Sequence, residues 1–195
     1  MKGLILGSII CFLIVNEVVS QNIFDAEFPS SIDSSDEIKK YVEGIEFDLY
    51  IGYFNNCNYW STRKGERKYF AIIYKDDIWK SCVYASKKGK KLKKKKEENL
   101  SKKDVSVFIN LISQNKIWAL RNDSLKWRER PKNDSIIEVK YYGHGCTDRF
   151  YIIRDNSYVR IHCYEAEELQ SFVFVHQRQI FIEIRNKFLE LFNDD

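Results

Sequence analysis

Two histidines, one arginine and one glutamate have the side-chain types that acid–base chemistry requires. Arg160 and His162 are separated by one residue in an alternating segment, so they share one face of a predicted strand. With His144 and Glu138 they form a candidate set for phosphodiester cleavage, in which the histidines act as base and acid and the arginine stabilises developing charge. The spacing does not favour this set over an exposed polar sheet face. A small secreted hydrolase that acts on a polyanion is therefore the alternative hypothesis.

Histidine and cysteine also lie close together at two places, which raises the question of a zinc site. His144 precedes Cys146 by two residues, and His162 is followed directly by Cys163. Neighbouring residues of a strand point to opposite faces, so His162 and Cys163 are not expected to reach one ion. The short cysteine spacing of a zinc ribbon is missing from the sequence as well. We therefore predict no metal site and no other cofactor.

The N-terminal residues 1–20 have the pattern of a cleaved secretory signal. Lys2 supplies the positive charge, residues 4–15 form a nearly unbroken apolar run, and Val18 and Ser20 occupy the positions that signal peptidase reads. The run is short for a membrane-spanning helix, and no later segment reaches that length. We therefore expect a secreted or periplasmic protein that starts near Gln21.

Four cysteines remain once the signal, which contains Cys11, is removed. An even number of cysteines in an exported chain favours disulfides. Of the three pairings, we expect Cys57–Cys82 and Cys146–Cys163, because each closes a local loop around one hairpin. On the loop-entropy argument, each bond would stabilise the fold by roughly 3 kcal/mol. Cysteine-nucleophile chemistry is disfavoured, because oxidation would cap the thiols.

Eight lysines stand almost together between Ser86 and Asn99 and account for the net basic charge. The chain carries a net charge of +4, and without these lysines it would be negative. Such a polycation binds phosphate, sulfate or anionic lipid by counterion release, without reading sequence. The simpler interpretation is a solvated loop, because like charges repel and keep the segment open. No aromatic residue interrupts the run, so single-stranded nucleic acid has no stacking platform there. The lysines are Lys87, Lys88, Lys90, Lys91, Lys93, Lys94, Lys95 and Lys96.

Tryptophans are candidates for a glycan- or peptide-binding surface. Because β-sheets enrich aromatic residues for packing, most are expected to lie in the core. Trp127 differs, since it lies in a basic segment, residues 126–130, that has the character of an exposed loop. It is therefore the best single candidate for a contact residue. The full set is Trp60, Trp79, Trp118 and Trp127, which Tyr141, Tyr142, Tyr151, Tyr158 and Tyr164 could extend across a sheet.

Hydrophobic periodicity predicts an α+β fold with an antiparallel β-sheet. A capping pattern at Ser101 indicates a helix with Val105, Phe108, Ile109 and Ile112 on one face. An apolar stripe predicts a long C-terminal helix, carried by Leu169, Phe172, Val173, His176, Ile180, Ile184, Phe188 and Leu191. Strands are predicted at 45–51, 68–75, 78–85, 117–120, 136–142, 150–154 and 158–164, with turns at 76–77 and 155–157.

The chain is predicted to contain a single folded domain. Residues 1–20 are the signal, 21–34 a weakly ordered arm, and 35–195 one α+β domain. A content of 44% hydrophobic residues is enough for a core, which excludes disorder for most of the length. The segments 70–76 and 150–156 are alike, so 35–100 and 101–195 are a possible tandem of helix-plus-three-strand units.

The order of elements from residue 105 onward resembles that of uncharacterised secreted proteins of Bacteroidetes-type bacteria. The residues that carry the resemblance are Ile117-Trp118-Ala119-Leu120, Ile137-Glu138-Val139 and the segment 150–163. These proteins share a helix, a tryptophan-containing strand, amphipathic strands and a final helix. None of the shared motifs is catalytic, so the resemblance implies a fold and no activity.

Together these patterns favour a non-enzymatic binding or interaction module. Its expected partner is an unknown protein or an anionic polymer. The sequence has no nucleophile-elbow, metalloprotease, Walker or dinucleotide-binding motif, and no motif specific for nucleic acid. The hydrolase that would use His144 and His162 as an acid–base pair remains the alternative.

Overall fold

An antiparallel sheet with helices packed on one face is the framework of the protein. The computed structural model describes residues 22–31, 42–57, 66–87, 92–120, 125, 146–172 and 174–192. The predicted signal and the predicted strand at 136–142 lie outside these residues.

In the described part of the chain, seven strands and three helices are present. The strands are β1 (Ser30–Ser31), β2 (Leu49–Cys57), β3 (Glu66–Lys75), β4 (Ile78–Lys87), β5 (Lys93–Asn99), β6 (Cys146–Arg154) and β7 (Ser157–Tyr164). The helices are α1 (Lys102–Gln114), α2 (Ala166–Phe172) and α3 (His176–Glu190). The strand order across the sheet is β1-β7-β6-β2-β3-β4-β5, and every neighbouring pair is antiparallel. The predicted α+β class is thereby confirmed.

The two hairpins follow from their turn residues. Asp76 and Asp77 join β3 to β4 with positive φ angles of 47° and 61°. A two-residue turn of this kind matches the twist of the flanking strands, and aspartate tolerates the left-handed region better than most residues. Asp155, with φ 52°, begins the corresponding turn between β6 and β7. Both turns lie where the sequence predicted them.

β2 lies at the centre of the sheet, and both of its faces are covered. Residues 49–54 are all buried, which is typical of a strand that packs on both sides. On one side, here called the helical face, the main core includes Phe150 of β6 and Phe188 of α3. The other side, here called the tyrosine face, holds a second cluster around Tyr50 and Tyr151.

α1 begins and packs as predicted. Ser101 Oγ accepts a hydrogen bond from Asp104 N at 3.1 Å, which satisfies one of the free amides of the first turn. Val105, Phe108 and Ile112 are buried on one stripe of the helix, and Ile109 is half-buried against the main core. No helix in the described residues is long and apolar enough to cross a membrane.

The C-terminal stripe forms two helices rather than the single long helix that the sequence predicted. α2 ends at Phe172, and α3 starts at His176. The Gln170 side chain bonds the intervening backbone twice, because Val175 N donates to Oε1 at 3.1 Å and Nε2 donates to Val175 O at 3.2 Å. These bonds hold Val175 outside the helix. His176, which was predicted on the apolar stripe, is exposed in the first turn of α3.

Two local predictions are wrong because tertiary contacts override local preference. The segment predicted as a strand at 117–120 forms a 3-10 turn, Ile117–Ala119, and Trp118 packs in the main core. The lysine run predicted as a loop includes β5, which pairs with β4 over most of its length. Pairing with an apolar neighbour strand, rather than intrinsic strand preference, places these lysines in the sheet.

Part of the predicted N-terminal arm packs against the sheet. The 3-10 turn Ile23–Asp25 buries Ile23 completely, and Ala26 is buried as well. The Arg154 guanidinium donates hydrogen bonds to the carbonyl oxygens of Phe24 and Ala26, the latter at 2.6 Å. These contacts fix the position of Phe24 beside the β3–β4 hairpin.

The cysteines do not pair as predicted. Cys82 and Cys163 are buried free thiols, so the expected bonds Cys57–Cys82 and Cys146–Cys163 are not formed. The reason lies in the strand order, which brings β2 beside β6. Register then places Cys57 directly opposite Cys146, a long-range neighbour that local hairpins do not reveal. The two hairpins β3–β4 and β6–β7 lie on opposite sides of β2, and the internal duplication remains a prediction.

Gly52 on the tyrosine face leaves no room for a side chain. A Cβ atom there would lie 2.7 Å from Cε1 of Tyr50, which is buried and packs against Phe47 with ring centroids 5.7 Å apart. We expect Gly52→Ala to lower the free energy of unfolding by about 1–3 kcal/mol, because the Tyr50 ring must leave its packed position. Chemical denaturation measures the change. In a Tyr50→Val background the loss should shrink, and an equal loss in both backgrounds would contradict the steric cause.

Candidate functional site

A cleft of about 260 Å³ opens between the N-terminal 3-10 turn, the β3–β4 hairpin and α1. Its volume lies slightly below the usual range of small-molecule sites, roughly 300–1,000 Å³. One side, the aromatic wall, consists of Phe24, Tyr74 and Trp79. The other side, the polar rim, consists of Asp77, Lys102 and Ser106, all of them exposed.

The rings of the aromatic wall pack on one another. The centroids of Tyr74 and Trp79 are 4.7 Å apart at an interplanar angle of 39°. Phe24 meets both rings edge-on at 64°, with centroid distances of 5.2 Å to Tyr74 and 6.2 Å to Trp79. Each such pair contributes about 0.5–1.5 kcal/mol beyond area burial. The wall is thus held in place by its own contacts, which reduces the entropy that a ligand would lose by ordering it.

The polar rim offers charges of both signs. Tyr74 Oη donates a hydrogen bond to Asp77 Oδ1 at 2.6 Å, and this bond raises the pKa of Tyr74. The phenol therefore stays protonated and holds the carboxylate at the mouth of the cleft. Lys102 and Ser106 are four residues apart on α1, so they lie on the same side of the helix.

Backbone bonds join the elements that form the cleft. Leu100 N donates to Trp79 O at 2.9 Å, which ties the end of β5 to the start of β4. α1 begins two residues after Leu100, so Lys102 lies close to Trp79 at the cleft. On the opposite side, Arg154 holds the carbonyl oxygen of Phe24. The cleft is therefore positioned by contacts from β5 and from β6.

A second polar cluster lies inside the protein, where β2, β6 and α3 meet. Asp148, only 3% exposed, accepts hydrogen bonds through Oδ1 from Tyr53 Oη at 2.6 Å and from Asn55 Nδ2 at 2.7 Å. Arg185 donates to Asp148 Oδ2 at 3.0 Å and to Glu167 Oε1. Both carboxylate oxygens are thus occupied within the chain. This buried ion pair has the features of a structural element rather than of a substrate site.

The same burial controls the protonation of the groups around this ion pair. Burial raises the pKa of Tyr53, and the negative charge of Asp148 raises it further, so the phenol remains a donor. Burial also raises the pKa of Cys163 to about 12, although the nearby Arg178 opposes the shift. On the tyrosine face, away from this ion pair, burial raises the pKa of Cys82 too. Neutral thiols are weak nucleophiles, so neither cysteine is suited to covalent chemistry.

We expect Cys82 and Cys163 to resist alkylation in the native protein. Both are 1% exposed and protonated at neutral pH, so iodoacetamide should label neither within the time that fully labels the unfolded chain. Intact-mass measurements before and after denaturation count the modified thiols. Rapid labelling of either cysteine in the native state would contradict this burial.

The described members of the candidate catalytic set lie on the tyrosine face, opposite to the cleft. On β7, Arg160 is exposed and His162 is half-buried, and their register partners are Tyr151 and Arg149. The structure does not bring them to the cleft or to Asp148. The other two members, His144 and Glu138, lie outside the described residues, so the assembly of the set stays a prediction.

The described lysines of the basic run are exposed on the edge strand β5. Glu97 accepts hydrogen bonds from Lys94 and from Lys80, the latter at 2.9 Å, and these bonds lower its pKa. Lys96 Nζ lies 2.9 Å from Glu98 Oε2, so these two side chains form an ion pair. A charged edge strand also resists pairing with other chains. Lys93 and Lys95 complete the described part of the run; the side chain of Lys87, and Lys88, Lys90 and Lys91, lie outside the description.

The tryptophans divide between core and cleft. Trp118 is 9% exposed in the main core and is not part of a surface. Trp79 belongs to the aromatic wall. Trp60 and Trp127 lie outside the described residues, so the predicted contact role of Trp127 stays a prediction.

Comparison with known proteins adds no family to this geometry. The sequence matches no protein-family model, and no curated protein is significantly similar to it. Among the described residues, no group of three or more histidine, cysteine, aspartate or glutamate side chains is placed to hold a metal ion.

Proposed function

We propose that the protein is an exported, non-enzymatic binding module that holds a sugar ring of an oligosaccharide in the cleft. The observation that carries the proposal is the aromatic wall facing a polar rim. The C–H groups of a pyranose ring pack well on aromatic rings through dispersion and the attraction of the ring quadrupole. Its hydroxyl groups then point toward the rim, where charged and polar side chains lie within one small cleft.

The mixture of donors and acceptors supports a ligand rich in hydroxyl groups. Asp77 accepts hydrogen bonds, Lys102 donates them, and Ser106 can do both. A purely apolar ligand would remove water from these groups without replacing their hydrogen bonds, which costs free energy. A sugar hydroxyl replaces them, because it both donates and accepts.

The placement of the acid–base groups supports binding rather than catalysis. Glycoside hydrolysis ordinarily needs two carboxyl groups on either side of the bond. Asp77 is the only carboxylate among the described residues that line the cleft. The buried carboxylate of Asp148 is fully engaged by Tyr53, Asn55 and Arg185. His162, the described histidine of the candidate set, lies on the other face of the sheet.

Titration calorimetry with neutral hexasaccharides of glucose, xylose and mannose tests the proposal. The unmodified protein is expected to bind at least one of them. Trp79→Ala should weaken that binding at least tenfold, because it removes one of the three rings of the aromatic wall. Ser106→Arg should weaken it as well, because it fills the cleft from an exposed helix position and leaves every ring in place.

Two matched variants serve as controls. Tyr164→Ala removes an aromatic ring that is 47% exposed on β7, and His162→Ala removes the acid–base candidate. Both should bind the sugar as the unmodified protein does. Equal loss in Tyr164→Ala and Trp79→Ala would contradict a role for the cleft. Sugar cleavage that disappears in His162→Ala would favour the hydrolase instead.

A further inference from the structure

We infer that the bound saccharide is acidic and that its charged groups lie along the lysines of β5 beside the cleft. This inference rests on the proposed function and adds the class of polymer. β5 ends at Asn99, and α1 starts at Lys102 in the polar rim. The strand that carries the lysines therefore leads directly into the cleft.

Strand register shows that Lys68 and Lys93 lie on the same side of the sheet as the cleft. Lys68 on β3 and Lys93 on β5 are both paired with Ala85 of β4. Paired residues of antiparallel strands point to the same side, so both lysines lie on the helical face. Trp79 lies on that face of β4 as well, six residues before Ala85. That separation is about 20 Å, a length that a chain of several sugars spans.

The surface keeps an excess of positive charge after its internal ion pairs are counted. On the helical face, where Lys68, Lys93 and Lys96 form the lysine strip, Glu98 lies beside Lys96. The pairs of Glu97 with Lys80 and Lys94 lie on the tyrosine face. Lys68 and Lys93 are exposed at the end of the strip farthest from the cleft. A polymer with one carboxylate or sulfate per repeat would release counterions from this strip and gain affinity at low salt.

The aromatic residues favour an acidic polysaccharide over single-stranded nucleic acid. Proteins that bind single strands place aromatic rings under successive bases along a basic groove. Beside the lysine strip, the aromatic wall of the cleft supplies three rings, and β5 carries none between Lys93 and Asn99. One ring-binding cleft followed by a plain lysine strip fits a charged sugar chain better.

Matched ligands and matched variants test the inference. The ligands are hexagalacturonate, its uncharged methyl ester, a heparin-derived hexasaccharide and a thymidine oligonucleotide. The variant Lys68→Gln/Lys93→Gln is compared with Lys116→Gln/Lys187→Gln, which removes the same charge from other surfaces. At low salt, at least one acidic hexasaccharide should bind ten or more times as tightly as the methyl ester. Lys68→Gln/Lys93→Gln should bind that ligand about tenfold more weakly than the unmodified protein. The slope of log affinity against log salt concentration should become shallower by about one to two.

The outcomes separate this inference from the proposed function. Affinity for the methyl ester should be unchanged in both lysine variants and lost in Trp79→Ala. If the acidic and uncharged sugars bind equally, or if both lysine variants behave alike, the acidic class is overturned while the cleft stands. If the oligonucleotide binds most tightly, the polysaccharide class is overturned too. If Trp79→Ala binds every sugar normally, the proposed function itself fails.

Discussion

Arg185→Ala is expected to lower the free energy of unfolding by about 3–5 kcal/mol, because it leaves the carboxylate of Asp148 buried without its charged partner. Asp148 and Arg185 are 3% and 6% exposed, so water cannot replace the lost interaction. Tyr53 and Asn55 would still donate to one oxygen, but Oδ2 would lose its partner at 3.0 Å. Chemical denaturation followed by tryptophan fluorescence measures the change.

A control on the same helix separates burial from charge. Lys187 and Glu190 form an exposed ion pair on α3 at 2.6 Å. Lys187→Ala should cost less than about 1 kcal/mol, because solvent screens exposed pairs. Replacing both buried partners, as Asp148→Asn with Arg185→Met, should recover much of the loss, since no uncompensated charge remains. A loss in Arg185→Ala no larger than in Lys187→Ala would show that the pair is not buried in solution.

The second large effect concerns Cys57 and Cys146, which we propose form a disulfide between β2 and β6. Directly opposed residues of antiparallel strands have Cα atoms about 4.5–5.5 Å apart, within the range that a disulfide spans. The bond would close a loop of about 90 residues, so on the loop-entropy argument its removal should cost about 4–5 kcal/mol. Denaturation of Cys57→Ser, Cys146→Ser and the double variant measures this cost.

The three cysteine variants provide their own control. If the two thiols form one bond, each single variant and the double variant should be destabilised by similar amounts. Reducing agent should destabilise the unmodified protein and leave the variants unchanged. Reduction should also add the mass of two hydrogens and not four, because Cys82 and Cys163 are free. No mass change on reduction, or a reduction-insensitive stability, would contradict the bond.

Those parts of the fold that depend on local signals could be predicted from the sequence. The Ser101 cap, the α1 stripe and the aspartate turns of both hairpins all follow from residues close together in the chain. β5 could not be predicted, because lysine disfavours strands and only the β4 partner supports it. The break before His176 depends on the side chain of Gln170, which a periodic stripe does not reveal.

The candidate site was less predictable than the fold because its parts are far apart in sequence. Trp79 was one of several aromatic candidates, but Phe24 lies in a segment that was predicted to be an arm. Only the packing of Ile23 and the bond to Arg154 bring Phe24 to the hairpin. The pairing of Asp148 with Arg185 is equally long-range. His144 and His162 were predicted to act as one acid–base pair, but His162, the described one, lies on the face of the sheet opposite to the cleft.

Mapping the bound sugar by nuclear magnetic resonance tests the binding-module account most directly. Proton–nitrogen correlation spectra are recorded while the tightest-binding oligosaccharide is added to the protein. The account predicts that the largest shifts occur at the Trp79 indole and at the amides of Asp77, Lys102 and Ser106, with little change around Arg160 and His162. Shifts centred on Arg160 and His162, or the absence of saturable shifts at the cleft, would contradict it.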